Sequence, residues 1–283
     1  MQRILVPTDF STNAMKAETY ASEIAQKCGA TVYLLHVIEP AIDTVIDSLT
    51  QSNLFMDKIV NERLNQLSIS QKIISENYPG IKIETELARG PIINSIFDFI
   101  EDNKVDLIVM GTTGATGLYE IIMGSIAAGT ISKSKIPVLT VPAAFEMVEP
   151  KTILLATNHF EEDEELLNPV ITLAKYFSAT IDVVVLMNAN EAVEEMQKNY
   201  TMELNHYLEF LKKTYPGNNF KGDLLEGNDF EMAIDKYSSK NEVDLIAMIP
   251  YPKNIPDRIL QKSITKKMAL HSTIPLITLP VKR

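Results

Sequence analysis

Residues 105–142 read VDLIVMGTTGATGLYEIIMGSIAAGTISKSKIPVLTVP, and residues 243–280 read VDLIAMIPYPKNIPDRILQKSITKKMALHSTIPLITLP. Aligned without a gap, 13 of the 38 positions are identical. The identities fall on the flanking apolar runs and the closing Ile-Pro, whereas Gly111, Gly114 and Gly124 of the first copy face Ile249, Pro252 and Lys262 of the second. A chain of 283 residues built on such a repeat suits two related domains of about 140 residues, each able to bury its own core. The scaffold is duplicated and the glycine loop is not. Glycine at such places permits positive φ and the close approach of a ligand, which isoleucine, proline or lysine obstructs.

The rest of the chain repeats in the same way. In the first half, β-rich runs at 3–6, 31–37, 81–87, 107–110 and 138–141 alternate with helical spacing near 12–27, 53–77, 91–102 and 121–133. In the second half, strands are expected at 152–156, 180–187, 220–225, 245–249 and 276–279, and helices near 164–177, 192–213, 229–239 and 257–270. Strand and helix in alternation predict an α/β fold of two tandem, doubly wound, parallel five-stranded sheets. ILVPTD (4–9) aligns with ILLATN (153–158), and most of the length difference between the copies falls after the second strand, where the first copy has the longer stretch 39–53. The domains are expected at 1–145 and 150–283, joined by a short linker. The last strand of each half would lie at a sheet edge, so the two copies are expected to cover each other as a pseudo-dimer within one chain, and two chains can pair again.

The net charge of −11 opposes nucleic acid and anionic membrane surfaces as partners, because both demand a concentrated basic face. Lys266 and Lys267 form only an isolated basic spot. No run approaches the 18 or so apolar residues that cross a bilayer. A first strand starting at Arg3 leaves no space for an export signal, so a cytoplasmic protein is expected. The single cysteine, Cys28, excludes an internal disulfide and reads as a structural residue at a helix end. The acidic run 161–165 follows Asn158, a good cap residue, and reads as the first turn of a helix, where carboxylates meet the positive end of the dipole. The four histidines, His36, His159, His206 and His271, do not cluster in sequence, which favours structural or surface roles over metal ligation.

In a doubly wound sheet, ligands lodge beyond the carboxyl ends of the strands. The loop 111–117 follows a strand there and a helix follows near Gly124, so its backbone N–H groups, with the Ser125 hydroxyl, can surround phosphate oxygens. Gly111-x2-Gly114-x9-Gly124-Ser125 resembles the G-x2-G-x9-G-[ST] nucleotide loop of the universal stress protein family. The opening ILVPTDFS, the strand end LLHVIEP, Arg89-Gly90-Pro91 and the closing IPVLTVP are also similar to that family, and both halves are covered.

The resemblance implies the universal stress protein fold, of the adenine nucleotide alpha hydrolase-like type, and an adenine nucleotide as ligand. It implies that Pro7, Thr8 and Asp9 stand at the adenosine portion, that backbone at Val37 reads the adenine edge, and that Met110, Gly111, Thr112, Gly114, Gly124, Ser125 and Ile126 hold ribose and phosphates. On the residues alone, Asp9 also reads as a helix cap with Ser11, and Val37 as core. In the second copy, Asn158 replaces Asp9, Pro250 and Pro252 stiffen the loop, and only Ser263 persists at the place of Ser125. Proline removes an N–H donor, so no ATP is expected there. Lys253, Arg258 and Lys262 read as solvated charges.

The function expected is that of an ATP-binding stress-response regulator, the ligand being ATP, AMP or ADP with Mg2+ or Mn2+ on the phosphates, and protein partners unknown. No other nucleotide-hydrolysis motif occurs, and nothing marks a base for activating water, so at most slow ATP turnover is expected. The alternative is a nucleotide-independent interaction scaffold with a relict loop. A nucleotidyl transferase or ATP pyrophosphatase on the same architecture would carry H-x-G-H or S-G-G-x-D-S, and neither is present.

Overall fold

The computed structural model describes residues 1–39, 49–112, 125–157, 159–187, 194–250, 268 and 272–280. The first half runs β1 (Arg3–Pro7), α1 (Thr12–Cys28), β2 (Thr31–Ile38), α2 (Leu49–Asn77), β3 (Lys82–Arg89), α3 (Ile92–Asn103), β4 (Leu107–Gly111), α4 (Ser125–Lys133) and β5 (Val138–Val141). The second runs β6 (Thr152–Ala156), α5 (Glu164–Phe177), β7 (Thr180–Met187), α6 (Glu194–Thr214), β8 (Asn219–Glu226), α7 (Phe230–Asn241), β9 (Leu245–Met248) and β10 (Leu276–Thr278). The helix expected at 257–270 lies outside the described residues, apart from Met268. α2 has 29 residues and α6 has 21, so much of the extra length of the first copy is helix.

Each half is a parallel, doubly wound set of five strands, as expected. The two sets are not separate sheets, however: they form one ten-stranded sheet in the order β3-β2-β1-β4-β5-β10-β9-β6-β7-β8. The seam is the pair β5–β10, antiparallel, with Leu276 opposite Thr140, Ile277 opposite Leu139 and Thr278 opposite Val138. The central strands β5, β9 and β10 are buried along their whole length and β4 over all but its last residue, which their near-continuous apolar sequences dictate.

The identities of the repeat have local causes. Asp106, from the first VDLI, accepts from the backbone N–H groups of Gln2 and Arg3 at 2.6 and 2.9 Å. Asp244, from the second, accepts from Lys151 and Thr152 at 2.7 and 3.0 Å. Each carboxylate fastens the start of its half's first strand beside the fourth, using charge-assisted bonds. Likewise Ser134 brackets Ile136 and Ser272 brackets Ile274, each hydroxyl bonding both the N–H and the C=O of that isoleucine.

The caps repeat as well. Ser11 caps α1 by accepting from Ala14 N, and Gly29 ends it with φ 70. At the position equivalent to Gly29, α5 ends on Ser178 with φ 54, and α3 and α7 end on the equivalent residues Lys104 and Glu242 with φ 53 and 50. The acidic run departs from expectation. Asp163, not Asn158, caps α5 by accepting from Glu165 and Leu166, so only Glu164 and Glu165 stand in the first turn while Glu161 and Glu162 precede the helix. Asn158 lies outside the described residues.

Ser178 is exposed in a left-handed conformation that glycine adopts without steric cost. Ser178→Gly is expected to raise stability by about 0.5–1 kcal/mol, read as a higher urea midpoint at unchanged slope.

Candidate functional site

β1 lies between β2 and β4. The connection after β1 leads into α1, which packs with α2, whereas the connection after β4 leads into α4, which packs with α3. The two chains of connection therefore leave to opposite faces, and a crevice opens at the carboxyl ends of β1 and β4. At that end the structure places Pro7 as the last residue of β1 with Thr8 and Asp9 after it, Val37 near the end of β2, and Met110 and Gly111 as the last residues of β4 with Thr112 after them. Ser125 and Ile126 open α4, Ser125 exposed and Ile126 half-buried. Gly114 and Gly124 lie outside the described residues, as do Pro252, Lys253, Arg258, Lys262, Ser263, Lys266, Lys267 and His271.

The turn after β1 is built in detail. Thr8 is buried, its N–H donates to Leu35 O at 2.9 Å, and its hydroxyl accepts from Phe10 N at 3.1 Å. Phe10 takes φ 62, an uncommon conformation for a bulky residue, and its ring lies 4.6 Å from that of His36. Asp9 is exposed and accepts from Ser11 N at 3.0 Å. The N-cap of α1 is thus Ser11, and the exposed Asp9 carboxylate shapes the turn ahead of it.

Beneath this turn lies a polar group that sequence reading did not single out. The Thr8 hydroxyl donates to Glu18 Oε1 at 2.7 Å, and Glu18, on the inner face of α1, is 4% exposed. Burial pushes the Glu18 carboxyl above the usual range, opposed by hydrogen bonds from Thr8 and Ser70. The Thr8 carbonyl accepts from His36 Nδ1 at 2.7 Å, which places the ring proton on Nδ1, and burial holds the imidazole below its usual range. A signal for Glu18 was present: it interrupts the apolar spacing Ala14, Ala17, Ala21, Ile24 and Ala25.

Two expectations change in this light. Gly111 does not have positive φ. A Cβ there would lie 2.7 Å from Asn13 Nδ2 and 3.1 Å from Asn13 O, so the residue is glycine because the start of α1 packs on β4. Thr112 N donates to Val141 O at 3.2 Å, which leaves only its carbonyl and its buried hydroxyl for a ligand. Val37 is buried and opposite Ala88 in β3, a core position at the mouth of the crevice. In the second half, the same strand end carries Ile249 and Pro250, both buried, in place of Gly111 and Thr112. Among the described residues, no three His, Cys, Asp or Glu side chains group as a metal site.

The sequence profile of the universal stress protein family matches residues 1–142. A universal stress protein of Methanocaldococcus jannaschii is 36% identical over 140 residues, which are 50% of this chain and 81% of that protein. A second from the same organism is 32% identical over 152 residues, or 50% of this chain and 94% of that one. The crystal structure of a universal stress protein from Archaeoglobus fulgidus superposes with a TM-score of 0.71 over 98% of this chain and 96% of its own, at 19% sequence identity, a likeness of fold across both halves.

Two outcomes are expected from the packing. Gly111→Ala should cost about 1–3 kcal/mol of stability by overpacking against Asn13, and the double variant with Asn13→Ala should recover part of that loss in urea unfolding. Glu18 has a raised value in the folded state, so its contribution to stability is full below the ordinary carboxylate range and is lost as pH rises through the raised value. Glu18→Gln should therefore flatten the pH dependence of the urea midpoint between roughly pH 5 and 8, and equal or exceed the parent at the upper end.

Proposed function

Because the chain belongs to the universal stress protein family, we propose that it binds one adenine nucleotide per chain and acts as a cytoplasmic regulator whose nucleotide state changes its protein partners under stress. The binding domain is residues 1–145. Residues 150–283 form a diverged domain that takes no ATP. The observation that carries this reading is the gathering of Pro7, Thr8, Asp9, Val37, Met110, Gly111 and Thr112, from three separate strands, at the carboxyl end of one crevice, while the second half fills the equivalent strand end with Ile249 and Pro250.

The physical roles follow from the residue types. Asp9, exposed and anchored by Ser11 N, accepts from ribose hydroxyls. The backbone around Val37 reads the adenine edge, and the Val37 side chain with Ala88 opposite it on β3 gives the purine an apolar floor. The residues present suit phosphate: helix α4 presents its N-terminal N–H groups and the exposed Ser125 hydroxyl, and the loop bearing Gly114 and Gly124 supplies further N–H donors. With Thr112 N engaged in the sheet, that loop and the start of α4 carry the phosphate contacts, and Met110 and Gly111 bound the ribose. ATP, ADP and AMP share the adenosine contacts, and Mg2+ or Mn2+ would accompany the longer phosphate chains.

Titration calorimetry of nucleotide-stripped protein with ATP and magnesium is expected to give one site per chain. Gly114→Pro, which removes one loop N–H and stiffens the cradle, should abolish the heat, and Asp9→Ala should weaken binding about tenfold, the equivalent of one charge-assisted hydrogen bond. No heat at millimolar ATP would refute the reading and leave an interaction scaffold with a relict loop.

A further inference from the structure

The second half carries a buried polar cluster that the fold itself does not require. Asp182, the third residue of β7, is 3% exposed, and its Oδ1 has no hydrogen-bond partner. Its Oδ2 lies 3.2 Å from the Tyr237 hydroxyl of α7, and the same hydroxyl lies 2.6 Å from Asp223 Oδ2 of the edge strand β8. By the offsets of the repeat, Asp182 and Tyr237 occupy the positions of Tyr33 and Phe99 in the first half. There the two rings pack edge to face at 5.5 Å. The same β-strand and helix can thus be joined by aromatic packing alone, and replacing such packing by buried polar groups generally gains no stability.

Counting protons settles what the cluster must be. A tyrosine hydroxyl donates once, while two carboxylates have only acceptor oxygens. The shorter contact takes the Tyr237 proton to Asp223, which is exposed. Both contacts are hydrogen bonds at once only when Asp182 carries a proton and donates to the tyrosine oxygen; with Asp182 ionised, two carboxylates compete for the single Tyr237 proton and one contact is lost. We propose that Asp182, Tyr237 and Asp223 form a proton-dependent latch that holds α7 on β7 and β8 while Asp182 is protonated and loosens when it ionises.

The surroundings bear on both states. Leu154 of β6 stands beside Asp182 on one side, and on the other β8 brings Lys221 opposite it and Asp223 two residues further on. Burial pushes the Asp182 carboxyl up and the Asp223 charge adds to this, while Tyr237 and Lys221 oppose it. Burial and the two carboxylates push the Tyr237 phenol far up, so the tyrosine stays the donor throughout. Above the latch, a cavity of about 460 Å³ runs between β8 and α7, lined by Asp223, Leu225, Lys236, Tyr237 and Lys240. Release of the latch would widen this groove at the outer edge of the sheet, on the half that lacks the glycine loop.

The sign is fixed by linkage. With its folded value above the ordinary aspartate range, Asp182 contributes stability that is full below that range and is lost as pH rises through the raised value. The test is amide hydrogen exchange on the full chain between pH 5 and 8, expressed as protection factors so that the intrinsic pH dependence is removed. Protection in α7 should fall several-fold as pH rises, and protection in α1 should not follow it. Asp182→Asn, a permanent donor of similar size, should hold α7 protection at its low-pH level throughout; Asp223→Asn, which still accepts from Tyr237, should keep the fall. Protection in α7 that does not change with pH, or an equal fall in Asp182→Asn, would overturn the latch. Because α7 is read in the folded protein and the first half serves as control, the result is separate from titration of Glu18.

Discussion

The antiparallel seam between β5 and β10 is the constraint on which the rest of the molecule depends. All residues of both strands are buried, and each half taken alone would end in one of them as a bare apolar edge, a template for uncontrolled pairing. Three residue pairs and the bond from the Thr140 hydroxyl to Leu276 O close both edges at once. Ser134 and Ser272 lock the turn ahead of Pro137 and Pro275, and those prolines stand immediately before the two strands, where no ladder donor is needed. The seam in turn brings α1 against α5. Lys27 reaches Glu149 at 2.6 Å and lies over the Phe177 ring, Tyr20 packs on Phe145, and Lys16 donates to the carbonyls of Ala143 and Phe145. The exposed ion pair is worth little by itself, but together these contacts tie the linker down along α1.

A fixed α1 is also what shapes the crevice. Asn13, in its first turn, sits so close to β4 that position 111 admits no side chain, and Glu18, one turn further, takes the Thr8 hydroxyl from below. The strained Phe10 backbone and its contact with His36 complete a turn in which the Thr8 N–H and hydroxyl are engaged inward and Asp9 is exposed. Rigidity of this kind lowers the ordering cost of a ligand, because the surface is formed before the ligand arrives.

Much of this was legible in the sequence, and for identifiable reasons. Strand runs such as LIVM and VVVL are apolar enough to specify doubly buried strands, and the observed boundaries fall within two residues of the pattern wherever both are described, except at the start of α2, where helix extends back to Leu49. The glycine loop marked one crevice out of two because its counterpart carries residues with side chains. What the sequence concealed was cause. Gly111 reads as a ligand-approach glycine, yet the obstacle to a Cβ is Asn13, a contact between residues 98 apart that no local pattern encodes. Asn158 reads as a cap, but Asp163 is nearer the first apolar turn and takes that role with two backbone N–H groups. Long-range pairing of two edges into one sheet was inferred from the logic of edges; that it yields a continuous ten-stranded sheet is visible only in the register of Thr140 against Leu276.

Set side by side, the halves differ less in scaffold than in where each buries its polar groups. Thr8, Glu18 and His36 lie under the crevice of the first half, and the equivalents of the last two in the second are Leu167 and Val185, both fully buried. Asp182 and Tyr237 lie under the groove of the second, where the first has the aromatic pair Tyr33 and Phe99. Each half is therefore its partner's control: it shows the same framework with leucine in place of Glu18 and with tyrosine in place of Asp182. Groups that cost desolvation, and that the fold can do without, are retained for what they do rather than for the stability they add. In the first half they brace a turn at the mouth of a crevice; in the second they join a helix to an edge strand through a proton. Duplication has left two copies of one framework in which the titratable interior has moved from the strand ends to the sheet edge.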